Sequence, residues 1–125
     1  MITLASGTRV WLAVGRTDMR KGFDGLSTLV QEKLAQYPFC GHLFVFRGRG
    51  PSAHGLDPWG GDLLKVLSYD GQGLCLFAKR LERGRFVWPS PADGKVVVSP
   101  AQLGMLLEGI DWRMPRRTWQ PQLAG

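Results

Sequence analysis

The chain has 125 residues, 44% hydrophobic and 21% charged. That is one globular domain, large enough to bury a core without disulfides and too apolar for wholesale disorder. No apolar run approaches the ~20 residues that cross a bilayer. The formal net charge is +6 and eleven of the sixteen basic residues are arginine. A planar guanidinium fork matches phosphate oxygens, so the expected partner is a polyanion, with nucleic acid ahead of a membrane.

The N-terminus lacks the charged-then-apolar layout of a secretory signal, which sets a cytoplasmic expectation. Cys40 and Cys75 sit in apolar contexts and are expected as buried free thiols. Seventeen glycines point to many short strands joined by turns.

In chain order, Arg9–Val14 reads as a strand apolar on both faces. A polar loop from Arg16 to Gly22 follows. Phe23, Leu26, Val30 and Leu34 recur at helical spacing, predicting a helix over Phe23–Gln36 that Pro38 stops. Leu43–Arg47 is a short apolar strand, and residues 48–61 form a long Gly- and Pro-rich loop. Leu63–Tyr69 and Leu74–Lys79 flank Asp70-Gly71-Gln72-Gly73, which predicts a hairpin. Further strands are expected at Arg85–Trp88 and Lys95–Val98. Ser99-Pro100-Ala101-Gln102 combines a hydroxyl cap, a first-turn proline and a Gln three residues on, opening a helix over about 100–108.

The expected fold class is α+β: a mainly antiparallel sheet of about five or six strands with two helices. Hairpin-length turns argue against crossover units. Residues 1–112 form the expected single domain, and 113–125 a loosely held basic, Trp-containing tail.

The charge is segregated along the chain. Arg16–Lys21, Arg47–Arg49, Lys79–Arg85 and Arg113–Arg117 hold twelve of the sixteen basic residues, opposed there only by Asp18 and Glu82. Three windows begin where an apolar strand ends, so they lie at sheet rims. If those rims meet, Arg16, Arg20, Lys21, Arg47, Arg49, Lys79, Arg80, Arg83 and Arg85 form one phosphate-binding surface. The competing reading makes them ordinary solvated strand ends. Trp88, Trp112 and Trp119 near the last windows suit stacking on bases or a protein anchor, against core packing for Trp11, Trp88 and Trp112. Trp112, Arg116, Arg117 and Trp119 are the candidate partner-binding residues.

Nothing reads as an active site. Turn chemistry accounts for Asp62, Asp70 and Asp93, His42 and His54 have no partners at metal-ligand spacing, and no serine sits in a nucleophile elbow. No metal, cofactor or enzymatic activity is expected, and a metal-dependent nuclease is disfavoured.

Six ordered motifs carry a resemblance. They are Thr17–Leu26 (TDMRKGFDGL), His42–Arg49 (HLFVFRGR), Asp70–Gly73, Lys79–Gly94 (KRLERGRFVWPSPADG), Ser99–Leu103 and Gly109–Pro115 (GIDWRMP). Together they resemble the TnpB family, the second-reading-frame accessory proteins of insertion sequence 66 elements, over about Met1 to Pro121. The resemblance implies an accessory role in DNA transposition and recombination, beside a separate DDE-type transposase. DNA at element ends or targets and that transposase are the implied partners. The alternative is an adaptor that docks on the transposase without touching DNA. No catalytic residues come with the family. The characteristic segments contain Asp18, Met19, Arg20 and Lys21, and Lys79, Arg80, Arg83 and Arg85. One departure is about ten additional residues at 50–60, at a loop that tolerates insertion cheaply. Oligomeric state is left open by the sequence.

Overall fold

The computed structural model describes residues 7–13, 15–48, 63–83, 86, 88, 95–111 and 116–117. Its main sheet has five strands: β1 (Val10–Ala13), β2 (Leu43–Arg47), β3 (Leu63–Tyr69), β4 (Leu74–Arg80) and β5 (Lys95–Val98), in the order β4-β3-β2-β1-β5. Helix α1 (Phe23–Leu34) lies between β1 and β2, and helix α2 (Pro100–Leu107) follows β5. A separate two-stranded pair joins β6 (Ile110–Asp111) to β7 (Arg116–Arg117).

Alternation along the strands divides the core between two faces. Val10, Leu12, Leu43, Val45, Leu64, Val66 and Val98 pack with Leu103, Leu106 and Leu107 of α2. Trp11, Ala13, Phe44, Phe46 and Leu67 pack with Leu26, Leu29, Val30 and Leu34 of α1. One helix therefore covers each side of the sheet, and the central strands are buried on both faces. This is why β1 and β2 read as nearly continuous apolar runs.

The structure is α+β, and its main sheet has three antiparallel pairings, as expected, but β1 and β2 pair in parallel (Val10 with Leu43, Leu12 with Val45). The expectation that crossover units are absent is thereby corrected. Residues 14–42 contain a twelve-residue helix, long enough to return the chain to the starting end of the sheet. The entry to that parallel pair is pinned by two bonds. The Arg9 N–H donates to His42 Nδ1 at 3.0 Å, and the Leu43 N–H donates to the Arg9 carbonyl at 3.0 Å.

Helix α1 ends two residues before the expected boundary. Ala35 adopts φ 52°, and the Gln36 N–H returns to the Val30 carbonyl at 3.2 Å. This is a left-handed terminus that usually employs glycine. Helix α2 opens with the capping box read from the sequence: Ser99 Oγ accepts from the Gln102 N–H at 3.1 Å, and Gln102 Oε1 accepts from the Ser99 N–H at 2.9 Å. Val98 and Leu103, on either side of the box, are buried in one cluster.

The β3–β4 hairpin turns on Asp70, whose Oδ1 accepts from the Gln72 and Gly73 N–H groups at 2.8 Å each, with Gly71 at φ 94°. Expected strand Arg85–Trp88 is not formed at its described positions, Phe86 and Trp88. Both side chains enter the core on the α2 side, and the Trp88 indole N–H donates to the Ala13 carbonyl at 3.0 Å. Their burial is achieved without a ladder. Both cysteines are free thiols but exposed, correcting the expectation of burial. Cys75 lies on an edge strand, and Cys40 in the connection after α1, so neither reaches the double-sided core. Residues 50–60, 112–115 and 118–125, where an inserted loop and a tail are expected, fall outside the described residues.

Candidate nucleic-acid interface

Strand polarity decides where the basic windows meet. Because β2 runs parallel to β1, and β3 and β5 run against their neighbours, the C-terminal ends of β1, β2 and β4 lie together. That end of the sheet carries Arg47 closing β2, Lys79 and Arg80 closing β4, and the loop containing Arg16, Arg20 and Lys21 that leaves β1. Three of the four windows thus share one end. The opposite end carries Arg9, His42 and the Asp70 turn.

The 16–21 loop is fastened to the sheet by one main-chain bond and one lysine side chain. The Thr17 N–H donates to the Arg47 carbonyl at 2.9 Å, and Thr17 is buried. From β3, Lys65 Nζ donates to the Lys21 carbonyl at 3.0 Å. Lys65 belongs to this cationic end and was missed by counting windows. Its signal was a lone lysine in an apolar strand pairing with Phe46 and Ala78 near the ends of β2 and β4.

The cations differ in how they are held. Arg47 is half-buried: its Nε donates to the Gly15 carbonyl at 3.1 Å, and its guanidinium carbon lies 5.4 Å from the centre of the Trp88 ring. Burial, seconded by the charge on Arg16, holds the Arg47 pKa below its usual value. Two guanidinium groups therefore raise the local positive potential, which an arriving anion would relieve. Arg20 grips Asp18 through Nε and an Nη nitrogen, the shortest contact being 2.7 Å. That hydrogen bond, with a second from the Arg20 N–H, holds the Asp18 carboxyl well below the usual carboxylate range and raises the Arg20 pKa. The Arg20 side chain is still 92% exposed.

Arg80 pairs with Glu82 at 3.3 Å. Lys79 Nζ donates to the Leu107 carbonyl at 2.8 Å, so it serves the C-terminus of α2, where a cation complements the helix dipole. Lys21 is exposed, with its aliphatic stem lying against Gly25, where an added Cβ would come within 3.1 Å. Arg83 is exposed and Arg16 half-buried. Arg49 and Arg85 lie outside the described residues, as do Trp112 and Trp119. Arg116 and Arg117 form β7, antiparallel to Ile110–Asp111. Trp11 and Trp88 are both buried, which settles those two in favour of core packing.

The surface is thus a set of cations on rigid strand ends, with two local acids neutralising part of it. Donors of this kind can bond to phosphate oxygens. Among the described residues no group of three or more His, Cys, Asp or Glu side chains is placed to hold a metal ion, and no helix is long and apolar enough to cross a membrane.

A family model described as "IS66 Orf2 like protein" matches residues 8–117. The chain belongs to the IS66 Orf2-like family. That membership gives it a transposition-associated accessory role in an insertion sequence. The match spans every described element, from β1 to β7. Two proteins of Sinorhizobium fredii (strain NBRC 101917 / NGR234) are similar to it. The "Uncharacterized protein y4hO" is 54% identical over 125 residues, covering 100% of both chains. The "Uncharacterized protein y4jC" is 35% identical over 117 residues, covering 94% of this chain and 92% of its own. No solved structure matches. The end-to-end alignment with the first relative leaves no net difference of ten residues, so the additional length at 50–60 is not peculiar to this IS66 Orf2-like chain.

Proposed function

We propose that this IS66 Orf2-like protein assists transposition by binding DNA, at element ends or at the target, through the cationic end of its sheet, beside a separate DDE-type transposase. One observation carries the reading. Parallel pairing of β1 with β2 brings three basic windows that are distant in sequence to the same end of one rigid sheet.

Arg16, Arg20, Lys21, Arg47, Arg80 and Arg83 are the proposed phosphate contacts. Arg49 and Arg85 belong to the same windows. Lys79 is reassigned as a positioning residue, since its ammonium is engaged by α2. Ion-paired arginines keep further N–H donors, because a guanidinium has five and a carboxylate takes two or three. Contacts of this kind go to the backbone and give little base preference.

The test is a fluorescence titration against duplex and single-stranded DNA between 50 and 200 mM salt. Each phosphate neutralised steepens the log–log slope by about 0.9 for duplex. A slope near zero would remove the cationic end from the mechanism. The adaptor role would then be the remaining form of the accessory function, read by co-purification with the transposase.

A further inference from the structure

Strand β4 is an edge of the sheet, and its outer backbone groups are unpaired among the described residues. Which groups face outward follows from the hairpin. The Asp70 N–H donates to the Gly73 carbonyl at 3.1 Å, so the pairs that exchange bonds with β3 recur at Ser68–Cys75, Val66–Phe77 and Leu64–Lys79. Leu74, Leu76, Ala78 and Arg80 therefore point their N–H and C=O groups away from the sheet. A seven-residue edge of sequence LCLFAKR is long and apolar for one left open among the described residues.

We propose that β4 is an interface between two copies of this chain, each adding its β4 antiparallel to the other about Phe77. This register uses all four outward positions at once: Leu74 pairs with Arg80 of the second copy, and Leu76 with Ala78. It is self-complementary, as a two-fold axis requires.

The side chains agree with it on both faces. On the α2 side, Phe77 meets its own copy across the axis as a cross-strand aromatic pair. Phe77 is only partly buried in the single chain. On the α1 side, Arg80 of one copy lies opposite Leu74 and one strand from Tyr69 of the other. Tyr69 is the base of an exposed aromatic group: its ring packs edge-on against Phe39 at 5.2 Å, and Phe39 against Tyr37 at 5.4 Å. Tyr37 is 63% exposed and Phe39 43%. An arginine laid beside these rings gains a cation–π contact that nothing described in the single chain supplies. Charge is complementary too. The antiparallel arrangement sets the Lys79–Arg80 end of each β4 beside the Asp70 end of its copy and keeps like charges apart.

The pairing has a consequence that rests on the DNA reading above. Antiparallel β4 strands turn the two cationic ends in opposite directions. One dimer would then hold two duplex segments, one at each end of a continuous sheet.

The pairing is tested on the full chain in three ways. Light scattering should give twice the 13.9 kDa chain mass. In the wild-type protein, the amides of Leu74, Leu76, Ala78 and Arg80 should be protected from hydrogen exchange. Ala78→Pro removes an outward N–H at an edge position that tolerates proline; it should halve the mass, keep the circular dichroism spectrum, still bind one labelled duplex and lose capture of a second. A wild-type monomer at tens of micromolar overturns the proposal, and so does a dimer whose four amides exchange freely or that persists in Ala78→Pro. A dimer with protected amides that binds no DNA upholds the pairing and removes only the nucleic-acid reading.

Discussion

Asp18→Asn separates the charge of the cationic end from its shape. The asparagine keeps a carbonyl oxygen where Asp18 Oδ1 accepts from the Arg20 N–H at 3.0 Å, so the turn should persist. It loses the second carboxylate oxygen, to which an Arg20 Nη nitrogen donates at 2.7 Å. Net charge rises from +6 to +7, one acid fewer, and the 92% exposed Arg20 side chain is released toward solvent. If it takes up one more phosphate, the salt slope steepens by about 0.9, and over a fourfold rise in salt the loss of affinity grows by a further factor of about 3.5. Anisotropy titrations with labelled duplex at 50 and 200 mM salt read this directly. The control is Glu32→Gln, an exposed acid near the C-terminal end of α1, which runs away from the cationic end. It changes net charge equally. If Asp18→Asn changes neither slope nor affinity, or matches the control, the assignment of Arg20 to the binding end is wrong.

Three other perturbations test the frame. Ser99→Ala removes the hydroxyl half of the α2 capping box, leaving the backbone N–H half to Gln102 Oε1, and should lower stability by about 1 kcal/mol in urea unfolding; an unmoved midpoint would count against the cap. Ala35→Gly relieves the left-handed φ at the end of α1 and should raise stability by roughly 0.5–1 kcal/mol, whereas a loss would mean the terminus is held otherwise. Asp70 has its carboxyl pKa lowered, chiefly by the Gly73 and then the Gln72 N–H bonds. A depressed folded pKa means the hairpin's gain is present above the ordinary value of about 3.9 and lost as pH falls through the lower folded value. Carboxyl NMR titration should place the Asp70 midpoint below that of a free aspartate, and a midpoint at or above it contradicts the turn geometry.

Much of the fold was legible because its signals are local. Short apolar runs and the Asp70 turn placed β2, β3, β4 and β5, and the Ser99 box placed α2 to within a residue at its start. The parallel pairing was harder to see. The short turn after β3 advertises a hairpin, while the evidence for a crossover lay in the length of the helix-bearing segment between β1 and β2. Burial of Cys75 was misjudged because an apolar strand at an edge has the same composition as one at the centre. The segregation of charge was readable along the chain, as were Asp18 and Glu82 inside the windows they partly neutralise. Engagement of Lys79 by the Leu107 carbonyl and of Arg47 by Trp88 was not. Both depend on contacts between elements far apart in sequence, which only the packed sheet creates.

The bond from the Gly48 N–H to the Leu63 carbonyl, at 2.7 Å, closes the β2–β3 ladder just before residues 49–62 begin. Whatever chain length is inserted there starts and finishes at a sealed gate, so its size can change without disturbing strand register. That gate opens at the same extremity as Arg47 and Lys79. The composition of that segment can therefore be rewritten beside the cationic end while the sheet that carries it is kept.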